Sequence, residues 1–342
     1  MSSSRGTVAD GTVADGAVAK AGVDLSPGAR RLVHVNGRVL PGEVVVIVTD
    51  PTMGRYAEAV ATAAREAGAA VTVCIIPMRD QDGQEPPPPV ARAMAEAAVI
   101  FSPVRVSITH TRAMRAALEA GARVCMMTAY TDAIMTSPAL LETDFEAQVD
   151  VCRRLGAAFT EGESVRLTSP RGTDLRFGIE GRVANVLTNI PDPGELAPVP
   201  DIEVNVVPVT GSAEGTLIFD ASVPYLGIGI LKEPIVCSVR DGVIVEMAGG
   251  AQADFLREHL ESFGDPHCFN VAELGVGLNP NARLTGEMLE DEGVMGTIHI
   301  GIGTSHTLGG EIVAPTHYDL LMWEPTIAVN GRVVQREKQV LV

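Results

Sequence analysis

The sequence is poor in aromatic residues, in basic residues and in long apolar runs. Aromatic residues make up 4% of the 342 residues, so an aliphatic core is expected. The 26 Lys and Arg are outnumbered by 43 Asp and Glu, and the net charge of −17 argues against a nucleic-acid or anionic-membrane surface. No apolar run reaches the roughly 18 residues that span a bilayer, and the N-terminus lacks the apolar core of a signal peptide. These absences predict a cytoplasmic protein.

Cysteine is also scarce. The five cysteines form an odd number with no Cys-x-x-Cys spacing: Cys74, Cys125, Cys152, Cys237 and Cys268. We therefore expect reduced, buried thiols, neither disulfides nor zinc ligands.

The length of 342 residues favours two domains. A repeated TVADG-like unit predicts a disordered tail over residues 1–25. Strands alternate with helices over residues 26–160, which predicts a mostly parallel α/β domain. Short alternating strands and hairpins over residues 161–342 predict an antiparallel, β-rich α+β domain. No G-x-G-x-x-G follows the first strand, so nothing supports dinucleotide binding.

Three of the seven histidines and an aspartate lie within residues 296–319. His317 and Asp319 share a face if HYDLLMW is a strand, because successive side chains alternate sides. In TIHIGIG the same alternation places His299 with Gly301 and opposite the isoleucines, so His299 faces a space that glycine keeps open. The alternative for His299 is a hydrogen-bonded core histidine. Imidazole and carboxylate together are common ligands of zinc, manganese or iron, so the stretch predicts a metal site in the second domain.

Two acidic residues stand in apolar surroundings. Glu273 lies in the glycine-rich segment NVAELGVGLNP, and Glu203 opens the strand-like run EVNVVP. A buried unpaired carboxylate costs several kcal/mol, so each needs a cation or hydrogen-bond donors if it is inside. A solvated strand end is the alternative for Glu203.

The segments AELGVGLNP, LEDEGVMGTIHIGIG and GGEIVAPTHYD resemble the metal-dependent aminopeptidases of the aminopeptidase T type and their relative 2,5-dihydroxypyridine 5,6-dioxygenase. The resemblance covers most of residues 165–335. It implies one or two divalent ions, zinc, cobalt or manganese, and a homodimer. The ligands that it implies are Glu203, Glu273, His299, His317 and Asp319.

The dioxygenase is similar in SAEGTLIFD and FLREHLESFGDP, and the resemblance implies one ferrous ion held by two His and an Asp. Its pattern has His where this chain has Glu273, no carboxylate at the place of Glu203 and no imidazole at the place of His299. Three carboxylates and two imidazoles suit a two-metal hydrolytic site.

Our leading prediction is therefore a hydrolase that uses metal-activated water to cleave an amide bond in a short peptide or a small or cyclic amide. An iron(II) ring-cleaving dioxygenase of a hydroxylated pyridine is the alternative. A structural metal protein is a third hypothesis.

Other residues are candidates for catalysis or substrate binding. His306 stands where the aminopeptidases place a tyrosine that stabilises the tetrahedral intermediate, and a polar loop residue is the alternative. Glu292 is a candidate general base or partner of His299, although acidic clusters are typical of solvated faces. His110 and Thr111, between a strand and a helix, and Tyr225, after the strand GTLIFD, are candidate substrate-binding residues. Helix capping by Thr109 or Thr111, with His110 solvated, is the alternative.

Overall fold

The computed structural model describes residues 22–342. The predicted tail over residues 1–25 lies outside the described residues except for its last few positions. Within the described residues, no helix is long and apolar enough to cross a membrane. All five cysteines are free thiols, four of them buried and Cys74 half-buried.

A parallel sheet of five strands forms the N-terminal part, as the alternation of strands and helices predicts. In spatial order its strands are β2 (Ala70–Ile75), β1 (Val44–Thr49), β3 (Val99–Ser102), β4 (Arg123–Met126) and β8 (Leu196–Pro198).

Helices cover both faces of this sheet because its strands are apolar on both sides. Val45 and Ile47 pack with α1 and α2, whereas Val46 and Val48 pack with α3 and α4. The four helices are α1 (Ser26–Arg31), α2 (Gly54–Glu66), α3 (Pro88–Ala95) and α4 (Arg112–Glu119).

Three further helices connect the parallel sheet to the second half of the chain: α5 (Asp132–Met135), α6 (Pro138–Leu141) and α7 (Phe145–Thr160). Asp144 caps α7 by accepting a hydrogen bond from the backbone N–H of Ala147 at 3.1 Å. The buried side of this helix includes Phe145, Leu155 and Phe159.

An eight-stranded antiparallel sheet forms one layer of the second half. In spatial order its strands are β14 (Val243–Ala248), β13 (Ile235–Arg240), β10 (Glu214–Phe219), β6 (Asp174–Gly178), β5 (Ser164–Thr168), β18 (Thr326–Val329), β19 (Arg332–Arg336) and β20 (Gln339–Val340).

A second antiparallel sheet, which we call the ligand sheet, has five strands. In spatial order they are β17 (His317–Trp323), β16 (Thr297–Gly303), β15 (Val271–Gly277), β9 (Glu203–Val206) and β7 (Asn185–Leu187). The remaining elements are the strand pair β11 (Ser222–Val223) and β12 (Gly229–Ile230) and the helices α8 (Gly250–Ser262) and α9 (Met288–Asp291).

The described fold is therefore mixed α/β, with a parallel sheet first and antiparallel sheets after it, which confirms the predicted class. β8 joins the parallel sheet although it lies beyond residue 160, so the chain returns once to the N-terminal layer. The domain boundary at residue 160 stays a prediction.

Candidate metal centre

All five predicted ligands project from one face of the ligand sheet. Glu203 lies on β9, Glu273 on β15, His299 on β16, and His317 and Asp319 on β17. Their odd numbers agree with the cross-strand register, in which Gly277 pairs with Glu203, Gly275 with His299 and Gly301 with Asp319. Because side chains alternate along each strand, the even-numbered residues form the opposite face and join the apolar core.

Glycines on the same face make room for the imidazoles. A Cβ atom at Gly275 would lie 1.9 Å from Nε2 of His299, and one at Gly301 would lie 2.8 Å from Nε2 of His317. Real Cβ atoms essentially never approach other atoms so closely. The imidazole rings therefore lie over positions that only glycine can occupy, which extends the expectation that glycine keeps the space beside His299 open.

Two groups of three ligands arise from this arrangement, and Glu273 belongs to both. Glu203, Glu273 and His299 form one group, and Glu273, His317 and Asp319 form the other, with the ligand atoms of each group within 4.8 Å of one another. Oε2 of Glu273 lies 2.9 Å from Nε2 of His317, and Oε1 lies 3.9 Å from Nε2 of His299. The two oxygens of Glu273 thus face one imidazole each.

Three of the other ligands, Glu203, His317 and Asp319, have one atom held from outside and one directed toward the centre. Nδ1 of His317 bonds the carbonyl oxygen of Thr304 at 2.7 Å, which requires a hydrogen on Nδ1 and leaves Nε2 for the centre. Oε1 of Glu203 accepts from the Asn205 amide at 2.5 Å, while Oε2 lies 3.4 Å from Nε2 of His299. Neighbouring groups of this kind orient metal ligands in proteins.

Asp319 follows the same pattern. Its Oδ2 accepts a hydrogen bond from the hydroxyl of Tyr225 at 2.8 Å. Its Oδ1 is buried, makes no hydrogen bond, and lies 3.4 Å from Nε2 of His317 and 3.9 Å from Nε2 of His299. A buried oxygen without a partner costs free energy unless a cation or donor reaches it. The residues therefore fit a divalent ion.

The electrostatics of the metal-free centre follow from burial and from the two imidazoles. Burial raises the pKa of Glu203 to about 7, although the charge of His299 opposes this. Burial by itself would lower the pKa of His299, but the carboxylates of Glu203 and Asp319 outweigh it and raise that pKa to about 10. His317 behaves in the same way, and its pKa lies well above the ordinary value. Protonated imidazoles thus offset part of the negative charge of the buried carboxylates.

The centre lies at the bottom of a cleft of about 550 Å³ between the ligand sheet and the carboxyl edge of the parallel sheet. Met126 at the end of β4 lines the cleft together with Asp82 and Thr109, which lie in the loops after β2 and β3, and Leu308 and Pro315 also line it. Among residues 22–342, no Lys or Arg lines this cleft. Its only cationic groups in the described chain are therefore histidines.

His110, predicted from the segment SITHTR, lies on the cleft wall. Partial desolvation and the charge of His317 lower its pKa. Thr111 does not line the cleft. Its hydroxyl accepts from the N–H of Met114 at 3.1 Å and donates to the carbonyl of Ile108 at 2.7 Å, so it caps α4 and the capping alternative applies.

The other three predicted residues have different places. His306 is exposed and does not line the cleft, which agrees with the polar-loop alternative. Glu292 is 7% exposed and lines the cleft, so it is not part of a solvated acidic face. Tyr225 also lines the cleft, but its hydroxyl lies 2.8 Å from both Glu292 Oε1 and Asp319 Oδ2 and is not free for a substrate.

Two polar residues that flank Glu203 in the sequence also line the cleft and were not among the predicted site residues. Asp201 is buried, and its Oδ1 makes no hydrogen bond. Burial, followed by the charge of Glu203, raises its pKa well above the ordinary value. Asn205 orients Glu203, as described above. Both could have been found from the alternation of polar residues Asp201, Glu203 and Asn205 in an otherwise apolar run.

Residues 31–342 match the model of the 2,5-dihydroxypyridine 5,6-dioxygenase family. The chain belongs to this family. A curated family member, the 2,5-dihydroxypyridine 5,6-dioxygenase of Pseudomonas putida, is 26% identical over 196 residues. That match spans 53% of this chain and 56% of the relative, about half the length of each.

Two solved structures share the fold. The 2,5-dihydroxypyridine dioxygenase from Pseudomonas putida KT2440 has a TM-score of 0.80 at 19% identity, covering 92% of this chain and 96% of the other. Wild-type AmpT from Thermus thermophilus has a TM-score of 0.64 at 17% identity, covering 93% of this chain and 99% of the other. The chain is thus similar to both the dioxygenase and the aminopeptidase, as the sequence motifs indicated, and the dioxygenase is the stronger match.

Proposed function

We propose that this protein is a metal-dependent hydrolase that cleaves an amide bond in a short peptide or a small or cyclic amide. The observation that carries the proposal is the position of Glu273, whose two carboxylate oxygens face His299 and His317 separately. A carboxylate shared by two groups of ligands is the arrangement of a two-metal site. Zinc, cobalt and manganese accept such nitrogen and oxygen ligands.

The charges in the cleft also support two ions. Five carboxylates are buried there, namely Asp201, Glu203, Glu273, Glu292 and Asp319. Desolvation of one ionised carboxylate without a compensating charge costs several kcal/mol. The described residues offer no Lys or Arg in the cleft, so two divalent ions offset this charge better than one ion does.

In this proposal each ligand has a stated task. Glu203 and His299 would hold one ion, His317 and Asp319 would hold the other, and Glu273 would be a ligand in both groups. Divalent ions held there would supply Lewis acidity toward a carbonyl oxygen and would make a water molecule more acidic. His110 lies on the opposite wall of the cleft, where its neutral imidazole can accept or donate a proton near neutral pH.

An iron(II) ring-cleaving dioxygenase acting on a hydroxylated pyridine is the second candidate, and the comparisons support it better than they support the hydrolase. The family model, the curated relative and the structure with the higher TM-score are all named as a 2,5-dihydroxypyridine dioxygenase. Two imidazoles and Asp319 would supply the usual ligands of such an iron. The two groups of ligands favour the hydrolase over the dioxygenase, because neither group contains both imidazoles.

Substitution of Glu203 by alanine separates the two candidates. The metal content of the protein would be measured after loading with zinc, cobalt or manganese without oxygen, and a panel of amides tested for hydrolysis. Ferrous protein would be tested in parallel for oxygen uptake with 2,5-dihydroxypyridine. The matched control is Glu180→Ala, at an exposed glutamate outside the cleft.

For the hydrolase we expect Glu203→Ala to lose about one of two ions per chain and roughly 100-fold or more of its activity. For the dioxygenase we expect iron content and oxygen uptake to change little. A wild-type protein that is fully loaded with metal but hydrolyses no amide, and that consumes oxygen with the pyridine, would refute the hydrolase.

A further inference from the structure

Tyr225 lies beside the metal centre without facing it directly. Its hydroxyl lies 2.8 Å from Oδ2 of Asp319 and 2.8 Å from Oε1 of Glu292. A tyrosine hydroxyl has one hydrogen, so it donates to one carboxylate at a time. Its oxygen can accept a hydrogen bond from the other group if that group carries a hydrogen.

The consequence for Asp319 is geometric. With Oδ2 held by Tyr225, the carboxylate cannot rotate freely, and Oδ1 stays directed at the two imidazoles. Oδ1 is buried and has no hydrogen-bond partner of its own. Oδ1 is therefore the oxygen of Asp319 that is directed at the centre.

The ring of Tyr225 is itself fixed. It packs against the ring of Tyr318 with centroids 5.1 Å apart, and the Tyr318 hydroxyl bonds Nε2 of His259 at 3.0 Å. Glu292, the other partner of the Tyr225 hydroxyl, is buried. A hydroxyl with a fixed ring and two buried partners has little freedom to turn toward a substrate.

We propose that Tyr225 is a positioning residue for the metal site, which fixes Asp319 so that Oδ1 is presented to the ion, with Glu292 holding the Tyr225 hydroxyl in place. The proposal rests on the proposed metal-dependent function only in requiring that the site binds a divalent ion. The roles given to these residues in the sequence analysis, substrate binding for Tyr225 and general base or partner of His299 for Glu292, stay predictions.

Cobalt(II) binding to the metal-free protein tests this inference without any substrate. Affinity would be measured by titration, and the visible absorption of cobalt would report its coordination. We expect Tyr225→Phe to weaken cobalt binding by about 10- to 100-fold, the range found for groups that orient metal ligands, and to change the cobalt spectrum. The matched control is Tyr56→Phe, which removes a hydroxyl that also donates to a carboxylate, that of Asp132 at 3.0 Å, but outside the cleft. It should bind cobalt as the wild type does.

Two variants of Glu292 complete the experiment. Gln can donate an N–H to the Tyr225 oxygen, which leaves the tyrosine hydrogen for Asp319, so Glu292→Gln should keep most of the affinity. Glu292→Ala removes the partner and should lose affinity in the direction of Tyr225→Phe. If Tyr225→Phe fails to fold, equal affinities of the Gln and Ala variants would overturn the inference.

The remaining outcomes are also decisive. Cobalt affinity within about twofold of wild type and an unchanged spectrum for Tyr225→Phe would overturn the inference, while amide hydrolysis by the wild type would leave the proposed function intact. A wild-type protein that binds no cobalt would refute the metal site, and both proposals with it.

Discussion

Replacement of Gly275 by alanine tests the geometry of the centre most directly. The added Cβ would lie 1.9 Å from Nε2 and 2.2 Å from Cε1 of His299, whereas ordinary contacts begin at 3.4 Å. The imidazole would therefore have to move by about 1.5 Å, which is several times the roughly 0.2 Å tolerance of a metal–ligand bond. The strand backbone accepts alanine, so the main effect should fall on the ring.

We expect Gly275→Ala to lose the ion held by Glu203, Glu273 and His299 and about 100-fold of its activity, because a displacement near 1 Å already costs that much in an active site. Metal content and titration of the metal-free protein would measure the loss. Gly54→Ala is the matched control, since a Cβ at Gly54 meets nothing within 4 Å.

A double variant tests whether the loss of metal affinity acts through the ring of His299. In a His299→Ala background no ring remains to be displaced, so adding Gly275→Ala should cause no further loss of metal affinity. Full metal content and normal affinity in Gly275→Ala alone would show that His299 does not lie over Gly275, and the arrangement of ligands deduced here would be wrong.

Two other predictions concern pH and His306. His299 has a pKa of about 10, so metal binding at pH 8 should release its proton, and the raised pKa of His317 adds to this release; at pH 6 Glu203, with a pKa of about 7, should release a further proton. Metal affinity should thus rise with pH, and calorimetry in buffers of different ionisation enthalpy would count the protons; an affinity independent of pH would contradict the prediction. His306→Ala should change metal affinity and kcat/KM by less than about twofold, because the side chain is exposed and lies outside the cleft wall. A large fall in kcat alone would restore its predicted catalytic role.

Local pattern was sufficient to predict much of the fold. The apolar run at β1 and the alanine-rich helix after it, repeated through β4, predicted the parallel sheet, and hairpin signals such as the Arg240-Asp241-Gly242 turn predicted the antiparallel layers. Short elements such as α5, β7 and β8 were not predicted, because segments of three or four residues carry too little periodicity. β8 also depends on pairing with a strand some 70 residues earlier, which no local signal reports.

For Glu292, the local sequence pattern led to a wrong expectation of solvent exposure. Its neighbours Glu290 and Asp291 made the segment look like a solvated acidic face, yet all three are buried. Asp291 accepts hydrogen bonds from Ser222 and from the backbone of Thr285 and Gly286. Ser222 lies 69 residues from Asp291, whereas Thr285 and Gly286 belong to the loop just before it, and charge density along the sequence reveals none of these donors.

The sequence by itself determined which side chains share a face, since alternation along a strand is a local property of the backbone. It thereby placed His317 with Asp319, and His299 with Gly301, on common sides of their strands. Only the tertiary structure decided that four strands bring these faces into one sheet, that Glu273 faces both imidazoles, and that Tyr225 holds Asp319. Strand pairing joins residues that are tens of positions apart, and the distances between their side-chain atoms exist only once the sheet has formed.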